Sequence, residues 1–253
     1  MRNLMKPLLL LLALVSVSLF LISCTSSNSV KARFVNAIYT TSDYGGILDV
    51  EFNGTKEFSQ VSFPNADAST YKSVPGGNVT ILGLETNDTT NVFSDNVTLN
   101  GGTDYTIVAS GQSGGNGGPN VFLNAFADNN TAPTTGTVNF RVINASDIAT
   151  SLDVYIEQTP FTGTLGQNGV TPTVTVQQNA QSGYSNLAWN SDGQGWSIYV
   201  TPAGNPGLIY LNGFNTGNLG GTGSDAIRTI VLTNNANAQN TLSSQPLILD
   251  DLN

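Results

Sequence analysis

The side chains that most often perform chemistry in enzymes are almost absent from this chain. It contains no histidine, and its single cysteine is Cys24. This excludes histidine general bases, Ser-His-Asp triads and the usual zinc, copper or haem ligands. Carboxylates, a few lysines, serines and tyrosines remain, and no carboxylate pair lies in a sequence context typical of a hydrolase. We therefore predict that the protein is not an enzyme and has no catalytic residue, no cofactor and no metal.

Cys24 follows the three parts of a secretory signal. Arg2 and Lys6 precede an apolar run, which ends at Leu21 and the small residue Ser23 directly before the cysteine. This order resembles a bacterial lipobox, in which the cysteine takes a diacylglycerol and becomes the mature N-terminus. The alternative is an ordinary signal, or a single membrane helix, that happens to end in cysteine. The only cysteine occupies the one position where a lipoprotein needs it, so we predict lipidation at Cys24.

The charge of the chain narrows its possible partners. Charged residues make up 10% of the sequence, far below the ~25% of typical soluble proteins. Removal of Arg2 and Lys6 with the signal leaves six basic residues against seventeen acidic ones, a net charge of −11. We predict no nucleic-acid partner, because phosphate binding needs clustered lysines and arginines. Direct docking on anionic lipids is disfavoured too, so the membrane is reached through the lipid on Cys24.

The chain repeats its own motifs in one order. R-F-V-N-A at 33–37 returns as R-V-I-N-A at 141–145, and L-D-V at 48–50 returns at 152–154. Three further matches follow: Tyr71–Val74 with Tyr184–Leu187, Tyr105–Val108 with Arg228–Val231, and Val121–Asn124, running on to Asp128, with Leu247–Asp251. Five matches in the same order predict two copies of one module.

Each copy has the pattern of short β-strands separated by turns. Runs such as 47–52 and 105–109 are rich in β-branched and aromatic residues with partial alternation. Asn53-Gly54 and Asp192-Gly193 suit hairpin turns that need positive φ. We predict an all-β fold of two tandem antiparallel β-sandwich, immunoglobulin-like domains. The predicted organisation is a lipoprotein signal peptide at 1–23, a lipidated tether at 24–31, repeat 1 at 32–130, a linker at 131–136 and repeat 2 at 137–253.

Two kinds of charged residue are candidate sites. Arg33 and Arg141, each with an aspartate of the same copy (Asp49 or Asp153), recur in the repeated motifs. Each Arg–Asp pair could clamp a ligand, but recurrence as part of the strand motif favours an ion pair across neighbouring strands. Several acidic and amide residues have side-chain oxygens that could bind Ca²⁺, but their spacing matches no known calcium loop. We therefore interpret them as turn and strand-end residues. They are Asp88, Asp128, Asn129, Asn130, Asp250 and Asp251.

Trp189 and Trp196 flank a polar turn that contains Asp192. Exposed tryptophans beside amide and carboxylate groups could stack on a sugar ring and bind its hydroxyls. The alternative is a long hairpin whose tryptophans pack on the core or on each other. These three residues are the candidate ligand-binding site, with an envelope polysaccharide or a protein as the possible partner.

The repeated motifs also resemble a known family. R-F-V-N-A, L-D-V, the tyrosine before V-P-G-G, N-G-G-T-D-Y-T-I-V and the strand before D-N-N-T-A-P are similar to the bacterial domain of unknown function 4397. The resemblance covers nearly all of 32–130 and is looser over 137–253, where 162–176 and 201–223 carry extra Gly- and Asn-rich sequence. It implies β-sandwich modules, often in tandem, in secreted or surface-attached proteins, and it implies no catalytic residue.

These features predict a non-enzymatic, lipid-anchored protein of the bacterial cell envelope whose two modules act in binding or as a structural spacer. Thr25 and Ser26 follow the cysteine with no aspartate at the next position, which favours the outer membrane if the organism is Gram-negative. The alternative function is a carbohydrate-binding or adhesive surface module that uses the loops and tryptophans of repeat 2.

Overall fold

The computed structural model of the chain describes most residues from Ser29 onward. The predicted signal peptide, Cys24, Trp189 and Asp192 lie outside the described residues, and so does Asp88. No helix among the described residues is long and apolar enough to cross a membrane. The described ranges are 29–40, 46–66, 70–87, 90–113, 120–188, 195–217, 226–235 and 238–252.

These ranges form twenty β-strands and no helix. The first half of the chain contributes nine strands: β1 (Ser29–Thr40), β2 (Ile47–Phe52), β3 (Thr55–Ser62), β4 (Asn65–Ala66), β5 (Lys72–Pro75), β6 (Gly77–Glu85), β7 (Asn91–Leu99), β8 (Asp104–Ser113) and β9 (Asn120–Ala127). The second half contributes eleven: β10 (Thr137–Asn144), β11 (Ser151–Gln158), β12 (Val174–Gln177), β13 (Ala180–Gln181), β14 (Ser185–Ala188), β15 (Trp196–Pro202), β16 (Leu211–Asn215), β17 (Ile227–Leu232), β18 (Asn234–Asn235), β19 (Ala238–Leu242) and β20 (Leu247–Asp250).

Each half contains one five-stranded and one four-stranded sheet. In the first half the orders are β4-β1-β8-β9, with β5 also on β1, and β3-β2-β6-β7. In the second half they are β13-β10-β17-β20, with β14 also on β10, and β12-β11-β15-β16, while β18 and β19 form a separate pair. The predicted all-β, sandwich-like fold is confirmed, and the structure adds one parallel pair in each five-stranded sheet, β1 with β8 and β10 with β17.

Turn residues lie where the chain reverses or changes sheet. Asn53 and Gly54 have φ values of 50° and 80° and join β2 to β3, as a two-residue hairpin turn requires. Gly77, with φ of 87°, follows Pro75-Gly76 at the point where the chain passes from the five-stranded to the four-stranded sheet. The turn residues recognised in the sequence therefore set the sandwich connections of the first half.

The four larger sheets pack in layers around three cores. The core of the first half lies between its two sheets, where the ring centroid of Phe34 lies 6.0 Å from that of Phe58 and 6.3 Å from that of Phe93. The core of the second half includes Phe140, which is fully buried, and Trp196, which is 6% exposed. A third, smaller core joins the two five-stranded sheets to each other.

Strand β1 is buried on both faces, and residues that alternate along it belong to different cores. Phe34 and Ile38 belong to the core of the first half, whereas Val35 and Ala37 belong to the third core. Successive side chains of a strand point to opposite faces, so Arg33 shares the face of Val35 and Ala37. A strand covered on both sides has a nearly continuous apolar sequence, as parallel strands usually do.

Replacing Phe140 by alanine tests this layering. Phe140 is 0% exposed in the core of the second half, so we expect Phe140→Ala to lower the free energy of unfolding by about 3–5 kcal/mol. The matched control is Phe122→Ala, because Phe122 is 43% exposed, and we expect a change within about 0.5 kcal/mol. Urea unfolding followed by circular dichroism measures both, and equal losses would contradict the assignment of Phe140 to a core.

Candidate functional site

The most unusual feature of the described residues is a set of buried charges between the two five-stranded sheets. Arg33 of β1 and Arg141 of β10 are both 0% exposed. Each lies on the strand face that carries third-core residues, Val35 beside Arg33 and Ile143 beside Arg141. We call these two arginines, with Asp128 and Asp251, the arginine–aspartate cluster.

The ion pairs of the cluster are formed at the meeting of the two halves. Arg33 Nη2, from the first half, pairs with Asp251 Oδ1 at the end of the second half. Arg141 Nη2, from the second half, pairs with Asp128 Oδ1 directly after β9 of the first half. All four side chains are 0% exposed. Each half therefore supplies the counter-ion for the arginine of the other half.

Two threonines connect the ion pairs to each other. Thr106 Oγ1 accepts hydrogen bonds from Arg33 Nε at 2.8 Å and Arg141 Nη2 at 3.0 Å, and it donates to Asp128. Thr229 Oγ1 accepts from Arg141 Nε at 2.9 Å and Arg33 Nη2 at 3.3 Å, and it donates to Asp251. Each threonine thus receives hydrogen bonds from both arginines, so the halves share one hydrogen-bond network.

Two tyrosines cover the arginines. Tyr71 OH donates to Asp128 Oδ2 at 2.7 Å, and the Arg33 guanidinium lies 5.1 Å from the centre of its ring. Tyr184 OH donates to Asp251 Oδ2 at 2.7 Å, and Arg141 lies 5.0 Å from its ring. The rings provide cation–π contacts, and the hydroxyls fill acceptor positions on the aspartates.

The remaining guanidinium nitrogen of each arginine, Nη1, also donates hydrogen bonds. Arg33 Nη1 donates to the Asp250 carbonyl at 2.8 Å. Arg141 Nη1 donates to the Ala127 carbonyl at 2.9 Å and to Gln181 Oε1 at 2.7 Å. Every nitrogen of both guanidinium groups therefore has a partner, which a buried charge requires.

Corresponding residues of the two halves occupy corresponding places in the cluster, giving it approximate two-fold symmetry. In the sheets, Thr106 lies opposite Phe126 and Thr229 lies opposite Leu249. Asp128 and Asp251 each follow two residues later. The predicted match of Val121–Asn124, running on to Asp128, with Leu247–Asp251 therefore agrees with the strand register at its two end aspartates, but at its start the register aligns Leu247 with Asn124 and not with Val121, a shift of three residues.

Burial shapes the pKa values of the cluster. Burial alone would lower the pKa of Arg33, but the charge of Asp251, with Tyr71 and Asp128, raises it above the ordinary value. Burial raises the pKa of Asp128, while Arg141 and Arg33 limit that shift. Burial also raises the pKa of Tyr71 and of Tyr184, helped by their hydrogen bonds to the aspartates. The tyrosines are therefore neutral donors at physiological pH.

This arrangement is suited to holding the halves together. The two positive charges of the cluster are balanced by two negative charges, and its side chains are removed from solvent. Its donors and acceptors form hydrogen bonds with one another. Removing one partner would leave an uncompensated buried charge, so the cluster requires one relative position of the two sheets. The described residues contain no group of three acidic, cysteine or histidine side chains that could hold a metal ion.

The predicted pairing of each arginine with the aspartate of its own L-D-V motif is wrong. Asp49 instead accepts from Lys56 Nζ at 2.6 Å and from the Gln60 amide at 2.9 Å. Asp153 accepts from Thr175 Oγ1 at 2.6 Å and from the Gly204 amide at 2.8 Å. The reason is that these aspartates lie on β2 and β11 of the four-stranded sheets, whereas the arginines lie in the five-stranded sheets.

The other candidate residues are placed as follows. Trp196 packs in the core of the second half at 6% exposure, so its ring is not available to stack on a ligand. Trp189, Asp192 and the predicted lipidation site Cys24 lie outside the described residues. Asp128 and Asp251, interpreted from sequence as strand-end residues, do follow β9 and β20, and they are also the buried counter-ions of the cluster.

Comparison with known proteins identifies one family. The model of the family described as domain of unknown function (DUF4397) matches residues 30–155, which span β1 to β10 and most of β11. The match confirms the family resemblance over these residues, and the predicted second copy of the family's domain at 137–253 stays a prediction. No curated protein sequence matches the chain.

Two solved structures with some likeness to the chain are carbohydrate-binding modules. One comes from work on alpha-glucan recognition by family 41 modules from streptococcal virulence factors, with 14% identity, coverage of 88% of this chain and 98% of that chain, and a TM-score of 0.27. The other is CBMbc (family CBM26) from Eubacterium rectale Amy13K in complex with maltoheptaose, with 8% identity, coverage of 87% and 96%, and a TM-score of 0.25. At these scores neither likeness carries an argument about this chain.

Breaking one ion pair should cost far more than breaking a surface pair. We expect Arg33→Met to lower the free energy of unfolding by about 3–5 kcal/mol, because Asp251 is then buried without a counter-ion. The control is Lys56→Met, which removes a half-exposed partner of Asp49 and should cost less than about 1 kcal/mol. Urea unfolding of both variants checks this. Similar losses would mean that the buried pair contributes no more than a surface contact.

The buried tyrosines predict a loss of stability in alkali. The pKa of Tyr71 and of Tyr184 is higher in the folded than in the unfolded chain, so the folded state holds more protons above pH ~10. Their contribution is complete below that pH and decreases as the pH rises. The free energy of unfolding should fall from pH 9 to pH ~11, and fall less steeply in the Tyr71→Phe, Tyr184→Phe double variant. Equal slopes in urea titrations would contradict this.

Proposed function

We propose that this chain, which belongs to the DUF4397 family through residues 30–155, is a non-enzymatic, lipid-anchored protein of the bacterial cell envelope. Its two halves act as one rigid body that serves in binding or as a structural spacer. The observation that carries the proposal is the arginine–aspartate cluster, in which the repeated arginines and their buried counter-ions hold the halves together.

The cluster supports rigidity because its hydrogen bonds constrain the orientation of the two five-stranded sheets as well as the distance between them. Two ion pairs and two shared threonines need the five-stranded sheets in one register. Sliding by one residue would separate the buried charges, at a cost of several kcal/mol. A body of this kind keeps its outer loops at a fixed distance from its N-terminus, which a spacer or a binding platform needs.

The anchor would lie close to this body. Strand β1 begins at Ser29, three residues before the predicted start of the first module and five residues after Cys24. Five extended residues reach at most roughly 18 Å. The first half would therefore stand next to the membrane surface, with the lipid on Cys24 as its membrane contact. In a Gram-negative cell we assign it to the outer membrane, since Cys24 is followed by Thr25 and Ser26 and not by an aspartate.

The absence of a histidine from the chain supports a non-enzymatic role, and its acidic balance supports a partner other than nucleic acid. Envelope polysaccharides and neighbouring envelope proteins are the partners that fit this location. The repeated arginines and the tyrosines with raised pKa values serve the cluster, so they need no catalytic explanation.

Lipidation is tested by replacing the cysteine. We expect Cys24→Ser to abolish incorporation of a palmitate analogue and to prevent cleavage by the lipoprotein signal peptidase, because the chain has no other cysteine. The matched control is Ser23→Ala, which keeps a small residue before the cysteine and should still be labelled and recovered with membranes. Metabolic labelling and cell fractionation measure both. Labelling of the Cys24→Ser variant, or an unlabelled natural protein, would overturn the proposed anchor.

A further inference from the structure

We propose that the second half carries a binding site for an uncharged oligosaccharide, in a groove distinct from the tryptophan turn suggested by the sequence. This inference rests on the binding role proposed above but not on the lipid anchor. The second-half groove, as we call it, has a volume of about 410 Å³, and its main lining residues are Phe161, Leu165, Tyr199, Pro206, Ile209 and Asn212.

The groove is formed by two connections that are longer than their counterparts in the first half. Strands β11 and β12 are joined by residues 159–173, whereas β2 and β3 are joined by Asn53 and Gly54 alone. Strands β15 and β16 are joined by residues 203–210, whereas β6 and β7 are joined by residues 86–90. The shared scaffold therefore does not require these loops, and they need another explanation.

Both loops are held in place by hydrogen bonds and by contact with each other. The Gly166 amide donates to the Val170 carbonyl at 3.0 Å, and the Leu208 amide donates to the Asn205 carbonyl at 3.2 Å. Gly166 lies so close to Pro206 that a Cβ atom at Gly166 would come within 2.4 Å of the proline ring. The groove is therefore formed before any ligand arrives, which lowers the entropy cost of binding.

An aromatic pair forms part of the groove wall. The rings of Phe161 and Tyr199 have centroids 5.2 Å apart and are inclined at 55°. The Phe161 ring lies against the backbone of Gly163, where a Cβ atom would come within 2.7 Å of it. Ile209 is 44% exposed and its neighbour Leu208 is 47% exposed. Aromatic and aliphatic side chains kept at a surface are suited to the apolar faces of sugar rings.

The polar groups of the groove favour an uncharged ligand. Asn212 and Thr164, both exposed, line the groove and provide an amide and a hydroxyl. No charged residue occurs among the described residues that line it, and the chain carries a net charge of −9. An acidic polysaccharide would be repelled by the chain and find no counter-ion in the groove. A neutral sugar needs only stacking and hydroxyl hydrogen bonds.

A peptide added to the sheet edge fits this site less well. Among the described strands β16 is the outer strand of its sheet, but its pairing shifts register between Ile198 and Val200. Gly213, inside β16, has φ of 70°. Strand addition relies on a regular row of backbone donors and acceptors, and this edge is irregular.

The test is calorimetric titration of the full chain, purified in a detergent without a sugar headgroup. The probes are hexasaccharides of α-1,4-glucose, β-1,4-glucose, β-1,4-mannose and β-1,4-xylose, with hexagalacturonate as the charged comparison. We expect at least one neutral probe to bind with Kd of about 1 mM or lower. Phe161→Ala and Asn212→Ala should each weaken binding about tenfold. Phe122→Ala, which removes an exposed phenylalanine of the first half, should leave the Kd unchanged.

Several results of this titration would contradict the proposed oligosaccharide site. Failure of all neutral probes at about 10 mM, stronger binding of hexagalacturonate, or unchanged Kd values in both groove variants would overturn the proposal. So would binding of an uncharged valine-rich peptide in place of the sugars, which would assign the groove to a protein partner. Asn212 is exposed, so Asn212→Ala keeps the test valid if Phe161→Ala does not fold. Labelling of Cys24 is scored separately, so failure of the anchor and failure of the groove remain distinguishable.

Discussion

The exchange of counter-ions between the halves is the interaction on which the rest of the structure depends. Arg33 and Arg141 are removed from solvent. Each pairs with a carboxylate that directly follows the last strand of the other half. Burial of these charges is tolerable only with complete pairing. The five-stranded sheets must therefore meet in one way, and the third core forms in the same contact.

Part of this architecture could be predicted from the sequence. The alternating runs, the Asn53-Gly54 turn and the repeated motifs predicted an all-β sandwich fold, because these signals are local. The partners of the arginines could not be predicted in the same way. Arg33 and Asp251 are 218 positions apart, and their meeting depends on which surface covers the outer face of β1. Repetition of an arginine, a tyrosine and a threonine in matching motifs was the signal available, but Asp128 and Asp251 were interpreted as strand-end residues because no local pattern shows that they are counter-ions.

The two halves share a scaffold but differ where loops can vary without disturbing it. Their five-stranded and four-stranded sheets have corresponding strand orders, and these sheets carry the buried polar residues. The long connections at 159–173 and 203–210 join strands of the four-stranded sheet of the second half, whereas the strands of the cluster belong to the five-stranded sheets. Trp196 belongs to the supporting core rather than to a binding surface, as the alternative interpretation of the tryptophan turn predicted for it.

The approximate two-fold relation of the cluster has a consequence for assembly. An interface in which equivalent patches meet each other is isologous, and it is closed once two copies of the patch are joined. Here both copies belong to one polypeptide, so the inner patches are satisfied within the molecule. Polymerisation through that patch is thereby blocked, and any partner molecule must approach through the peripheral sheets or the loops.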